Sequence, residues 1–74
     1  MIREIDPIVL TQDLLEEWLQ AGDVGWIIMV HVGGAGCEVE FVTMDGETIS
    51  VATVPASTVR PVRAKEIAHA RMVA

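Results

Sequence analysis

From Glu38 to Ser57, apolar and polar residues alternate, break at Asp45-Gly46, resume, and stop at Pro55. A period of two marks strands with one face turned to a core. On the same reading, strands are predicted over Ile8–Thr11, Val24–Val32, Cys37–Thr43, Glu47–Val54 and Arg60–Val62. Pro7 is acceptable at the start of the first. Leu14, Leu15, Trp18 and Leu19 fall at helical spacing, which predicts one or two helical turns within residues 12–23 before the Gly22-Asp23 turn signal. Gly33–Gly36 is a flexible turn, and Pro55–Val59 suits a single 3₁₀ turn. Beyond it, Ala64, Ile67, Ala68, Arg71 and Met72 would share one face of a helix. Eleven residues are too few for an isolated helix, so that segment must dock or fray.

The turns bear on register. A two-residue turn on Asp45-Gly46 sets Phe41 opposite Ser50 and Val39 opposite Ala52. A three-residue loop, Met44–Gly46, sets Phe41 opposite Ile49 and Val39 opposite Val51. The second gathers apolar residues on one face and gives Gly46 the left-handed position of a type I turn plus bulge, so it is preferred. A preceding hairpin closed on Gly34-Ala35 pairs Val30 with Val39 and Ile28 with Phe41. The predicted core face is then Ile28, Val30, Val39, Phe41, Ile49 and Val51, and the opposite face holds Ile27, Met29, His31, Glu38, Glu40 and Val42. The expected fold is mostly β: a small, five-stranded, bent SH3-like barrel with a long first loop, a 3₁₀ turn before the last strand and a short C-terminal helix. A flat three-stranded sheet packed on a helix is the alternative. The barrel is expected over residues 1–63, with a helical or frayed tail over 64–74.

Composition narrows the function. With 51% hydrophobic and 22% charged residues among 74, the chain is one globular domain rather than a disordered segment. No apolar run approaches a membrane span, and Met1–Asp6 is charged rather than leader-like, so a bacterial-type cytosolic location is expected. The single Cys37 leaves no internal disulfide. Charge is uneven: up to Val59 there are ten acids against Arg3, and from Arg60 onward four bases against Glu66. The acidic body repels phosphate backbones and argues against nucleic acid. Only the basic tail, Arg60, Arg63, Lys65 and Arg71, would serve such a ligand, with Trp18 or Trp26 stacking on bases.

The order Val9-Leu10-Thr11, Asp13-Leu14, Gly22-Asp23-Val24-Gly25, Glu38-Val39-Glu40-Phe41, Asp45-Gly46 and Pro55-Ala56-Ser57 resembles a family of small bacterial proteins, the domain of unknown function 4926, over about residues 6–62. The resemblance implies an SH3-like barrel and no established activity, so no catalytic residue carries over. An accessory role of the antitoxin or immunity kind, against a basic partner, follows by analogy only. This chain departs from the expected pattern at Trp26, where a small or polar residue is expected, and at Trp18, in a loop usually rich in glycine. The tail after Val62 lies outside the resemblance.

Sites for chemistry are few. Gly22-Asp23-Val24-Gly25 lacks the glycines, following helix and Lys-Ser/Thr of a phosphate loop and reads as a turn with a bulged strand start. Glu38 and Glu40 project from one strand face, with His31 across from Glu38. A metal or proton-transfer site would need a third converging group, and a solvated cross-strand pair is the favoured reading. Cys37 points to the core and His31 away from it, which reads as an inert buried thiol. His69 and the Ser and Thr residues meet no general base in sequence. No nucleophile, base and orienting group can be assembled, so a non-catalytic protein without cofactor or metal is expected. Trp18, Trp26, Ile27, Met29 and Val42 exceed what so small a barrel should hide. They are expected to form an interface, with Glu38 and Glu40 as an acidic face beside it. The expectation is an interaction module that self-associates into a dimer or higher oligomer and that also suits a basic protein partner.

Overall fold

The computed structural model describes residues 5–73. The elements are β1 (Pro7–Leu10), β2 (Val24–Val30), β3 (Gly36–Val42), β4 (Thr48–Pro55) and β5 (Val59–Pro61), with 3₁₀ turns at Leu15–Glu17 and Ala56–Thr58. All strands pair antiparallel in the order β4-β3-β2-β1-β5. The sheet is not closed, but it bends around one core: Ala52 and Val54 of β4 and Val59 of β5, from opposite edges, join Ile8, Leu10, Ile27, Val39 and Phe41 there. This is the expected SH3-like arrangement, with the 3₁₀ turn leading directly into the last strand. That turn is held by the Thr58 hydroxyl, which donates to the Pro55 carbonyl at 2.7 Å.

The long first loop closes on itself. Leu14 and Leu19 exchange backbone hydrogen bonds of 2.9 and 3.1 Å. Leu19 is buried in the core and Leu14 packs against it, while Leu15 and Trp18 point out to solvent. The apolar spacing that suggests a helix is instead divided between inside and outside by one 3₁₀ turn.

The strands fall within a residue or two of their predicted bounds, but two bulges overturn the predicted faces. In β2 the register shifts between Ile27 and Met29, so Ile27 pairs with Val39, Met29 with Glu38 and Val30 with Cys37. Ile27 is therefore a core residue, 1% exposed, and does not belong to the outer face. Ile28, expected inside, is exposed, and Val30 is only partly buried. The hairpin does not close on Gly34-Ala35. Its turn is centred on Val32-Gly33, with the Gly34 N–H bonded to the His31 carbonyl at 2.9 Å and Gly33 at φ +87°.

The second hairpin does turn on Met44–Gly46. Thr43 N–H bonds the Glu47 carbonyl at 2.8 Å, and Gly46 adopts φ +91°. The register then shifts between Phe41 and Val42: Val42 pairs with Thr48, yet Phe41 pairs with Ser50 and Val39 with Ala52. Ile49 is the extra residue. Past it, the pairing is that of the shorter turn, so Ala52 and Val54 line the core, Ile49 is only partly buried and Val51 faces outward. Val39 and Phe41 are buried as expected. Gly25 packs beneath them: a Cβ there would lie 2.5 Å from Val39 Cγ1 and 2.7 Å from Phe41 Cε1. The small residue of the Gly-Asp-Val-Gly stretch thus serves close packing.

The tail beyond Pro61 forms a turn at Ala64-Lys65 and no helix among the described residues. The Val62 N–H bonds to the Pro7 carbonyl at 3.5 Å, and side chains tie the tail at two further points. Arg60 Nη1 and Nη2 donate to the two carboxylate oxygens of Glu66 at 2.8 and 2.6 Å. Arg71 Nε donates to Asp23 Oδ1 at 2.8 Å, and its Nη2 donates to the Trp18 carbonyl at 3.0 Å.

Candidate functional site

Cross-strand rows define the outer face of the sheet. Trp26 of β2, Glu40 of β3 and Val51 of β4 form one row; Met29, Glu38 and Thr53 form the next. Val42, two residues beyond Glu40, lies on the same face. Trp26 is 45% exposed, Met29 48% and Val51 50%. Two carboxylates thus sit among exposed apolar side chains on this surface. Of the residues expected at an interface, Trp26, Met29 and Val42 are brought together there with Glu38 and Glu40, and Ile27 is turned inward. Trp18 belongs to the first loop and not to those strands. Sequence reasoning missed Val51 and Ile28 as exposed residues. The signal for Val51 was present, since the shorter-turn register already places Ala52 opposite Val39.

The polar groups of this face are engaged locally. His31 Nε2 lies 3.5 Å from Glu38 Oε2, but diagonally, because Met29 and not His31 stands directly across from Glu38. Glu40 does not join them: its Oε2 accepts the Thr48 hydroxyl at 2.7 Å. No group of three His, Cys, Asp or Glu side chains that could hold a metal ion occurs among the described residues. Cys37 is buried, and desolvation pushes its thiol pKa up, away from the thiolate that a nucleophile requires.

The basic tail is partly neutralised. Burial raises the Asp23 carboxyl, but the Arg71 guanidinium and the Gln20 N–H outweigh it and hold Asp23 below its ordinary value. Glu66 is held at about 2 by the Arg60 bonds and the Arg63 N–H. Arg60 and Arg71 therefore carry intramolecular partners, while Arg63 and Lys65 are exposed.

A second feature lies at the open side of the sheet. The first loop approaches the β4 edge and leaves a cleft of about 480 Å³ between them. Asp13, Glu16 and Glu17 stand on the loop side, and Ala52, Thr53 and Val54 on the strand side. Glu17 Oε2 accepts the Ser50 hydroxyl at 3.0 Å and bridges the gap at one point.

An open SH3-like sheet with an apolar and acidic outer face defines this as a small all-β domain. The chain belongs to the family described as Domain of unknown function (DUF4926), which matches residues 4–61. No curated protein and no solved structure matches the chain. No helix among the described residues is long and apolar enough to cross a membrane.

Proposed function

We propose that this chain is a non-catalytic interaction module that self-associates through the outer face of β2, β3 and β4. One observation carries the reading: Trp26, Met29, Val42 and Val51 are all exposed on one continuous strand surface while the core is already filled by other residues. Large apolar side chains clustered on a sheet face are the composition of an interface rather than of a solvated surface. Nucleic acid is a poorer fit, because two of the four tail cations are held by carboxylates within the chain. The test is size-exclusion chromatography with light scattering at micromolar concentration. The expected mass is that of a dimer or larger, reverting to 8.0 kDa in Trp26→Ser. A parent protein that is strictly monomeric overturns the reading.

A second reading, an accessory protein of the antitoxin or immunity kind that binds a basic partner, is favoured by the acids that flank the cleft beside β4. Co-purification of a basic protein encoded beside it would support that reading, and an isolated gene would leave it without motive.

A further inference from the structure

We propose that the cleft between the first loop and the outer edge of β4 binds an extended basic segment of a partner protein as an added strand. The phase of the β3–β4 ladder is fixed by one bond, the Ala56 N–H to the Ala35 carbonyl at 3.0 Å. Counting back along the antiparallel pairing, Val54, Ala52 and Ser50 exchange bonds with Cys37, Val39 and Phe41. Val51 and Thr53 therefore turn their N–H and C=O groups away from the sheet. Neither makes a backbone bond to another segment among the described residues. Pro55, next in that outward series, has no N–H to satisfy. Between Ile49 and Val54 no side chain is charged, so the edge lacks the Lys or Glu that commonly blocks strand addition.

The cleft borders this edge at Ala52, Thr53 and Val54 and supplies what an incoming strand needs besides backbone partners. Leu15 offers an exposed apolar contact, and Asp13, Glu16 and Glu17 supply negative charge. The occupant follows from charge. Residues 11–22 hold three acids, Asp13, Glu16 and Glu17, and no base. A second copy pairing edge to edge would bring two such loops together, and each copy carries a net charge of −6. In the chain's own cationic tail, Arg60 and Arg71 are already held by Glu66 and Asp23, and the exposed Arg63 and Lys65 flank Ala64, which is not a β-prone residue. A foreign segment that alternates Arg or Lys with β-prone residues fits both the free backbone edge and the acids, in the manner of β-augmentation. The inference rests on the basic-partner reading for its charge but not for its location.

The experiment uses the full chain and an eight-residue, end-blocked peptide of alternating Arg and Val, followed by fluorescence anisotropy and by amide NMR. The Val51 and Thr53 amides are expected to shift and to gain protection from hydrogen exchange. N-methylation along one edge of the peptide should weaken binding about tenfold or more, a loss of at least one hydrogen bond's worth of affinity. A Glu-Val counterpart should not bind, and the double variant Glu16→Gln, Glu17→Gln should bind several-fold more weakly. Equal binding of the N-methylated peptide overturns the proposal, because charge alone would then suffice. So does a free protein that is dimeric with Val51 and Thr53 already protected, since a second copy then fills the edge. Peptide binding that leaves those two amides unmoved also overturns it, while sparing the broader basic-partner reading.

Discussion

Trp18 is the residue least explained by stability. It follows the first 3₁₀ turn in the left-handed conformation, at φ 63° and ψ 27°. A bulky L-residue there costs about 1–2 kcal/mol, which is why such positions are usually glycine. Its ring does not repay the cost by burial, since the residue is 66% exposed. Gly46 occupies the same region of backbone space with the residue the geometry favours. Trp18→Gly is therefore expected to stabilise the fold by roughly 0.5–1 kcal/mol, after allowing for the greater freedom of glycine in the unfolded chain. Urea denaturation measures it, and a destabilised variant would mean that the ring is packed. Gly46 was legible in the sequence because Asp-Gly announces a left-handed turn. Trp18 was not, because nothing in a tryptophan's local context signals that conformation.

At the scale of elements, strand positions were legible and strand faces were not. Alternation, glycine and proline mark where β2, β3 and β4 start and stop, and Pro55-Ala56-Ser57 marks the 3₁₀ turn. A bulge leaves no such mark: Ile28 and Ile49 are as β-prone as their neighbours, yet each adds one residue and inverts the face of everything beyond it. Ile27 and Val51 changed sides for that reason alone. The tail was misread for a related reason. Its apolar spacing suited a helix, but its ordering comes from Arg60–Glu66 and Arg71–Asp23, pairs that lie 6 and 48 residues apart. The second contact has no local signature. Both carboxylates have folded values below their ordinary 4.5 and 3.8. Each therefore contributes fully above its ordinary value and loses that contribution as pH falls through the lower folded value. The amide NOE values of Ala64–Met72, which report order rather than nearby charge, are expected to stay constant from neutral pH down to about pH 5 and to fall only in more acidic solution. Arg71→Ala should release the segment beyond Glu66 at neutral pH, seen as a fall in its amide NOE, while global stability changes by less than about 1 kcal/mol, as for other exposed pairs. A tail that loosens already between pH 7 and pH 6 would show that these carboxylates do not hold it.

At the scale of the whole molecule, the two proposed contacts are expected to respond to salt in opposite directions. Its net charge of −6 is spread over an acidic body, so two copies repel as they approach, and in the proposed self-association the opposing attraction is burial of Trp26, Met29, Val42 and Val51. Salt shortens the reach of the repulsion, from about 10 Å at 0.1 M to about 3 Å at 1 M, and leaves apolar burial in place. Self-association should therefore tighten as salt rises. Binding of a basic strand beside Asp13, Glu16 and Glu17 gains from the attraction that salt removes, and should weaken over the same range. Sedimentation equilibrium for the first and anisotropy of the Arg-Val peptide for the second, each from about 50 mM to 0.5 M sodium chloride, give the two slopes. Trp26→Ser should abolish the first and leave the second intact, because Trp26 lies on the outer face and the peptide is assigned to the β4 edge. If both slopes share one sign, or if Trp26→Ser abolishes both, a single surface serves both partners and the division between face and edge is wrong.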